Sequence, residues 1–348
     1  MRALVLSGGA ARGAFEAGVV SALLAEEEFD VVCGTSVGAL NGAVVALGRP
    51  DLLREVWGTI GERHVLRPAP ALEKAQRVLD DGKAALRGPL AGRPAAMGRV
   101  ARDLFDLPSP KSLFGIRGFL TPDPVADLLR PHLALSKLVH SFIIAVTNLS
   151  NGTSEAFYAF DEAHRDREAH FVANEPGSQA LTDDNIFDAV RAAAALPAAY
   201  APVPIRNAQG ETHEYADGAV ANNTPLRQAI DAGATDVTLV FLQHSALRYR
   251  DFRLNSLAQI GFVAHDIMQE RMLELDLKLA RSINEAVRHG TADPGKRFIE
   301  LRTIGPSVPL RLGALSFSDQ ASIDRVFAQG VAEGQAALHV TKPRNVKK

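Results

Sequence analysis

The sequence predicts an α/β fold: a three-layer α/β/α arrangement with a mainly parallel central sheet. Two observations carry it. Short apolar runs, the mark of buried strands, alternate with stretches at helical spacing from residue 3 to residue 339. No linker composition interrupts that alternation, and 348 residues with 47 % hydrophobic content suffice for one large core. Residues 1–340 read as a single domain with an excursion at about 60–118, followed by a basic tail at 341–348.

Taken in order, Ala3–Leu6 is a short strand stopped by Gly8-Gly9, and Phe15, Val19, Val20, Leu23 and Leu24 then recur at helical spacing. Val31-Val32-Cys33 is the next strand. A small-residue helix follows with Leu40, Val44, Val45 and Leu47, then the turn Gly48-Arg49-Pro50-Asp51 and a second helix to Trp57. Composition changes at 60–118: eleven Lys or Arg stand against six Asp or Glu, with Gly-Pro and Arg-Pro breaks and a helical stripe at Leu72, Ala75, Val78 and Leu79. This stretch reads as a basic helical cap. The plainer role is a lid, and the composition also suits peripheral contact with an anionic lipid surface.

Thr121 is placed to cap a helix carrying Val125, Leu128 and Leu129. Ser141–Thr147 is a buried strand, and Asn151-Gly152 turns it into a hairpin with Glu155–Phe160. Asn185 is placed to cap a helix that Pro197 ends. Pro202–Pro204 is extended, Val237–Phe241 is a strand, and 254–289 is a long amphipathic helical region. A strand at 298–302 and a helix at 318–339 close the series.

Composition excludes several classes. A formal net charge of −2 gives no reason to expect a nucleic-acid partner. The single cysteine, Cys33, rules out an internal disulfide framework and a multi-cysteine metal site. No metal-ligand spacing is seen, so no metal and no cofactor are expected. The apolar run before Gly8-Gly9 is too short for a signal peptide, and no uninterrupted apolar run of about 20 residues is present. A cytoplasmic location is the expectation; nothing here sets an oligomeric state.

Three stretches carry candidate chemistry. Gly34-Thr35-Ser36-Val37-Gly38 follows an apolar run and precedes a helix, the context a G-x-S-x-G nucleophile elbow requires. Gly34 and Gly38 supply the missing bulk, and Ser36 falls at a helix N-terminus, where the dipole favours developing negative charge. Alone, the motif also reads as a plain strand-to-helix connection. Gly8-Gly9-Ala10-Ala11-Arg12-Gly13 is a glycine-rich turn whose backbone N–H groups suit an anion. As an oxyanion hole it would donate from Gly9, Ala10 and Ala11. A dinucleotide site, with Asp30 as its acid, fits worse: position 10 is Ala and the next strand runs into the serine turn. Arg12 steadies the loop, meets a substrate phosphate, or makes a surface salt bridge. The third stretch, Asp217-Gly218-Ala219, taken alone is a turn.

A serine hydroxyl needs a base within hydrogen-bond reach. An ordinary α/β-hydrolase would supply Asp or Glu and then His, and would place several strands before its elbow. Here the serine arrives on the second strand. His213, His244 and His265 stay open as relays, although none sits in a motif. Cys33 reads as a small core residue, because the elbow presents position 36.

In this order the three stretches resemble the patatin-like phospholipase family, with its Gly-rich anion loop, G-x-S-x-G elbow and Asp-Gly-Gly/Ala motif. Leu6-Ser7, Gly18-Val19, Ala39-Leu40-Asn41, Ala189–Pro197 and Asn222-Asn223-Thr224-Pro225-Leu226 look like family text too. The resemblance implies a patatin-like fold, not the ordinary α/β-hydrolase topology, and hydrolysis of a lipid ester by a Ser–Asp dyad. Ser36 matches the nucleophile, Asp217 the base, and residues Gly8 to Gly13 the oxyanion hole. Ala10 departs from the family's third glycine, and its N–H serves provided the loop does not need φ > 0 there. The expected activity is fatty-acid release from phospholipids or lysophospholipids. The same dyad suits a soluble carboxylesterase, thioesterase or acyltransferase, and an idle lipid-binding protein is the reading from another class.

Overall fold

The computed structural model describes residues 1–62, 67–68, 120–121, 129–197, 199–242, 257–313 and 316–340. Most of the 60–118 cap, the helix expected after Thr121, His244 and the 341–348 tail lie outside the described residues.

The chain runs β1 (Arg2–Leu6), α1 (Gly13–Leu23), β2 (Val31–Thr35), α2 (Val37–Ala46) and α3 (Asp51–Thr59). A short antiparallel pair, β3 (Arg67–Pro68) and β4 (Leu120–Thr121), stands apart from the main sheet. The hairpin β5 (Ser141–Asn148) and β6 (Thr153–Ala159) follows. Then come α4 (Glu168–Asn174), β7 (Gln179–Ala180), α5 (Ile186–Ala193), β8 (Val203–Arg206), β9 (Thr212–Asp217) and α6 (Leu226–Asp231). The series ends with β10 (Asp236–Val240), α7 (Leu257–Arg288), β11 (Glu300–Ile304) and α8 (Gln320–Val340).

The strands order as β11-β10-β1-β2-β5-β6-β7, and every pairing from β11 to β5 is parallel. The sheet is mixed beyond that: β6 and β9 both pair antiparallel to β5, and β8 pairs antiparallel to β9. A strand's side chains alternate between faces, and that alternation builds the three layers. Leu4, Leu6, Val32, Phe142 and Ile144 face Phe15, Val44, Trp57, Val190 and Phe327. Ala3, Val5, Val31, Cys33 and Ile143 face Phe171, Ala229, Leu273 and Ala280 on the other side. Each Val, Leu, Ile or Phe side chain among them, fully buried, contributes about 1.5–3 kcal/mol. Burial pushes the Cys33 thiol far above its ordinary range, as befits a core residue.

The mainly parallel expectation holds, with local departures. The last strand begins two residues later than the apolar run suggests, at Glu300. Asn185 does not cap α5 with its side chain. Its Oδ1 accepts from the Thr182 N–H (2.8 Å) while its own N–H donates to Thr182 Oγ1 (3.2 Å), so the pair closes the preceding turn. Strand β9 carries no alternating apolar pattern, because Thr212, His213 and Glu214 reach solvent and only Tyr215 to Asp217 are buried.

Candidate active site

β1 is where the strand order turns back: the chain goes from it to β2 and β5 on one side and later to β10 and β11 on the other. In open α/β sheets the crevice at such a point, outside the carboxyl ends of the strands, is where ligands bind. The loop after β1 and the turn after β2 therefore meet there, because β1 and β2 are parallel neighbours with Leu6 paired to Gly34.

Ser36 ends β2 with φ +55° and ψ −128°, a strained geometry for a residue bearing a Cβ. The Ala39 N–H donates to its carbonyl at 2.9 Å and closes the turn. Gly34 and Gly38 are needed for close approach: a Cβ on Gly34 would lie 2.3 Å from the Gly38 carbonyl oxygen, and one on Gly38 would lie 2.4 Å from that of Leu6. Thr35 Oγ1 donates to the Asn222 carbonyl at 3.1 Å, and Val37 turns into the apolar part of the pocket.

Asp217 reaches Ser36 through strand register. Thr35 pairs with Ala145 of β5, and the next residue, Val146, pairs with Asp217 of β9. The Asp217 Oδ1 accepts from the Ala219 N–H at 2.8 Å, and the Ser36 hydroxyl stands beside the carboxylate in the same pocket. Gly218 sits too close to the Ala145 carbonyl for any side chain. Asp217 is 2 % exposed, and burial pushes its pKa up to about 7 against the pull of the Ala219 N–H and the Ser36 hydroxyl.

The six residues of the anion loop divide. The Gly8 N–H is bonded to the Asn223 carbonyl (3.2 Å), the Arg12 N–H to Gly9, and the Gly13 N–H to Ala10. Gly9 and Ala10 line the pocket beside Ser36, and no hydrogen bond engages their N–H groups among the described residues; Ala11 and Gly13 do not line it. Ala10 has φ +53°, so the loop does require the left-handed region, contrary to the condition under which alanine would be harmless. Arg12 is no surface residue. Its side chain is 12 % exposed, it pairs with Asp266 of α7 at 2.7 Å, and its Nε donates to the Gly9 carbonyl at 3.4 Å.

The sequence assigns several pocket residues no role, although Asn41 and Asn223 fall in the family-like stretches. Asn41 takes the Trp57 indole N–H at 2.9 Å and donates to Glu16 (2.9 Å) and to the Gly13 carbonyl (3.1 Å), tying α1, α2 and α3 together behind the elbow. Burial holds Glu16 well above the carboxylate range. Tyr200 faces Asp217, and burial together with that charge raises its pKa to about 12. Asn223 joins the base turn to the anion loop through both its backbone and its side chain. Leu40, Val44, Leu53, Trp57, Leu196 and Phe317 make the remaining wall apolar. Of the histidines raised as relays, His265 lines this pocket, whereas His213 bonds Asn148 (2.8 Å) away from it. Among the described residues no group of His, Cys, Asp and Glu is arranged to hold a metal ion, and no helix is long and apolar enough to cross a membrane.

Comparison with solved structures finds VipD from Legionella pneumophila, at 13 % identity and a TM-score of 0.41, covering 97 % of this chain and 67 % of that one. It also finds the ExoU–SpcU complex from the type III secretion system of Pseudomonas aeruginosa, at 14 % identity and a TM-score of 0.32, covering 98 % and 51 %. This chain thus spans about half of that second protein, and likeness this low carries no argument about activity. No curated protein matches the chain. The family model for patatin-like phospholipases, in contrast, matches residues 4–230, from the first strand through the aspartate turn to α6. The chain belongs to the patatin-like phospholipase family.

Proposed function

We propose that the protein is a serine acyl-ester hydrolase that releases fatty acid from phospholipids or lysophospholipids. The observation that carries this reading is the Ser36 hydroxyl beside the buried carboxylate of Asp217, at the polar end of a pocket whose other wall is apolar. Ser36 Oγ attacks the ester carbonyl carbon while its proton passes to Asp217. The carbonyl oxygen becomes an oxyanion facing the N–H groups of Gly9 and Ala10. Collapse of the tetrahedral intermediate breaks the ester C–O bond, and Asp217 returns the proton to the leaving alcohol. Water, deprotonated in turn by Asp217, then hydrolyses the acyl-enzyme. A base titrating near 7 suits both halves of that cycle, since it takes and gives the proton at neutral pH. The fatty acyl chain lies against Leu40, Val44, Leu53 and Phe317. A substrate of this kind sits in a lipid surface, so turnover includes peripheral contact with one.

The test is a lipid panel read by product mass spectrometry, with a short-chain chromogenic ester beside it. Fatty acid released from phospholipid by the wild type, together with fluorophosphonate labelling that disappears in Ser36→Ala, is the expected result. Cleavage of the soluble ester alone would replace this reading with the carboxylesterase one. Undiminished turnover in Ser36→Ala would remove the mechanism.

A further inference from the structure

Resting on the acyl-hydrolase reading above, we propose that Gln269 of α7 is a positioning residue for Asp217: it holds Ala219 so that the Ala219 N–H stays aimed at the carboxylate. Gln269 lies outside the residues that the family model matches, and it is 2 % exposed. Its side-chain nitrogen donates to the Ala219 carbonyl, while the N–H of the same Ala219 donates to Asp217 Oδ1 at 2.8 Å. Both backbone groups of one residue are thus committed, one to the base and one to α7. The turn between them, Gly218 to Val220, is a single 3-10 turn with little stiffness of its own. The two groups lie on the peptide planes either side of the Ala219 Cα, so without the hold on its carbonyl the φ and ψ of Ala219 relax and the N–H turns away from the carboxylate.

The geometry also settles what His265 does. The Ala219 carbonyl accepts only, so the Gln269 amide must turn its nitrogen towards it. The second N–H then faces His265 Nε2 at 3.2 Å. That ring nitrogen accepts, its proton sits on Nδ1, and the imidazole is neutral. Burial lowers the His265 pKa, with Asp266 opposing and Arg12 adding to the drop, so the neutral form fits its surroundings. His265 Nε2 is thereby occupied as an acceptor and does not serve as the base. Gln269 Oε1, meanwhile, is buried and has no partner among the described residues. A side chain kept only for packing would be apolar here. An amide that leaves its acceptor unsatisfied is held for its two donors.

The groups facing Asp217 come from several elements. Ser36 stands beside it at the elbow, and the Tyr200 phenol faces it. Thr147 of β5 donates to its backbone carbonyl at 3.0 Å. Arg12, His265 and Asp266 line the same pocket. The Ala219 N–H bond, which favours the ionised carboxylate, is under the control of Gln269.

The experiment uses the full chain with Gln269→Met, which keeps the length and donates nothing, and Gln269→Leu, which fills the site with an apolar side chain and likewise donates nothing. Values of kcat and KM are measured on a short-chain chromogenic ester from pH 5 to 9.5. A weakened bond to the ionised base moves the acid limb of kcat upwards, by about one pH unit in Gln269→Met, so kcat at pH 7 falls about fivefold and recovers towards pH 9. KM stays within about twofold, and Gln269→Leu moves the limb in the same direction. Acid limbs of both variants superposed on the wild type, or a loss of kcat equal at every pH, would overturn the proposal. Should the thermal transition show Gln269→Met unfolded, Gln269→Leu carries the test alone. A wild type that neither turns over ester nor labels at Ser36 overturns the parent reading and this proposal with it. An active wild type with unmoved profiles overturns this proposal alone.

Discussion

Replacing Asp217 by Asn should stabilise the fold while abolishing turnover, and the gain should depend on pH in a calculable way. The carboxyl titrates at its ordinary 3.8 in the unfolded chain and at about 7 in the folded one. Below 3.8 both states hold the proton, and folding carries no penalty. Between those values the unfolded chain releases the proton and the folded chain keeps it, so stability falls as pH rises. Above about 7 the loss is complete, on the order of 4 kcal/mol at about 1.36 kcal/mol per pKa unit. Asparagine has no proton to lose, and its Oδ1 still accepts from the Ala219 N–H. The stability difference between variant and wild type should therefore grow by about 2–3 kcal/mol from pH 5 to pH 8. Urea unfolding at pH 5, 6, 7 and 8 measures it. Working with the difference removes Glu16 and Glu175, whose raised values slope the same way in both proteins. A difference that is flat with pH to within about 0.5 kcal/mol, or that shrinks, would refute the buried, raised carboxyl and with it the account of the base.

Two further substitutions probe the anion loop. Ala10→Gly removes the left-handed strain at φ +53° and should raise stability by about 1 kcal/mol with activity retained, read by thermal unfolding and ester hydrolysis. A drop in stability would mean that the alanine methyl packs usefully enough to outweigh its strain. Arg12→Ala takes the cation from a nearly buried Asp266 and releases the Gly9 carbonyl, so kcat should fall more than KM rises. The folded state should lose about 1–3 kcal/mol in urea unfolding. A rise in KM alone would make Arg12 a contact for the substrate's polar end.

The sequence by itself determined what depends on neighbours along the chain. The glycine spacing around Ser36 is legible because the steric demand of the elbow falls on residues two either side of it, at Gly34 and Gly38. The alternation of buried strands and helices is legible because burial on both faces leaves an apolar run wherever it occurs, as at Val31–Cys33 and Ser141–Thr147. The polar end of the pocket was decided by tertiary structure. Asp217 stands beside Ser36 only because β9 pairs antiparallel to β5 with Val146 opposite it, a register that Thr212–Asp217 does not announce. The contact between Thr35 and Asn222 joins residues 187 apart. Arg12 found Asp266, and Ala219 found Gln269, because α7 packs across both loops; an amphipathic pattern gives that helix a buried face but not the loops it will meet. Likewise the left-handed backbone of Ala10 follows from where its loop must go between Leu6 and Gly13, and alanine itself prefers the right-handed region. Local sterics and burial write themselves into short sequence windows, whereas register and long-range donor–acceptor pairs are settled only when distant elements compete for the same buried surface.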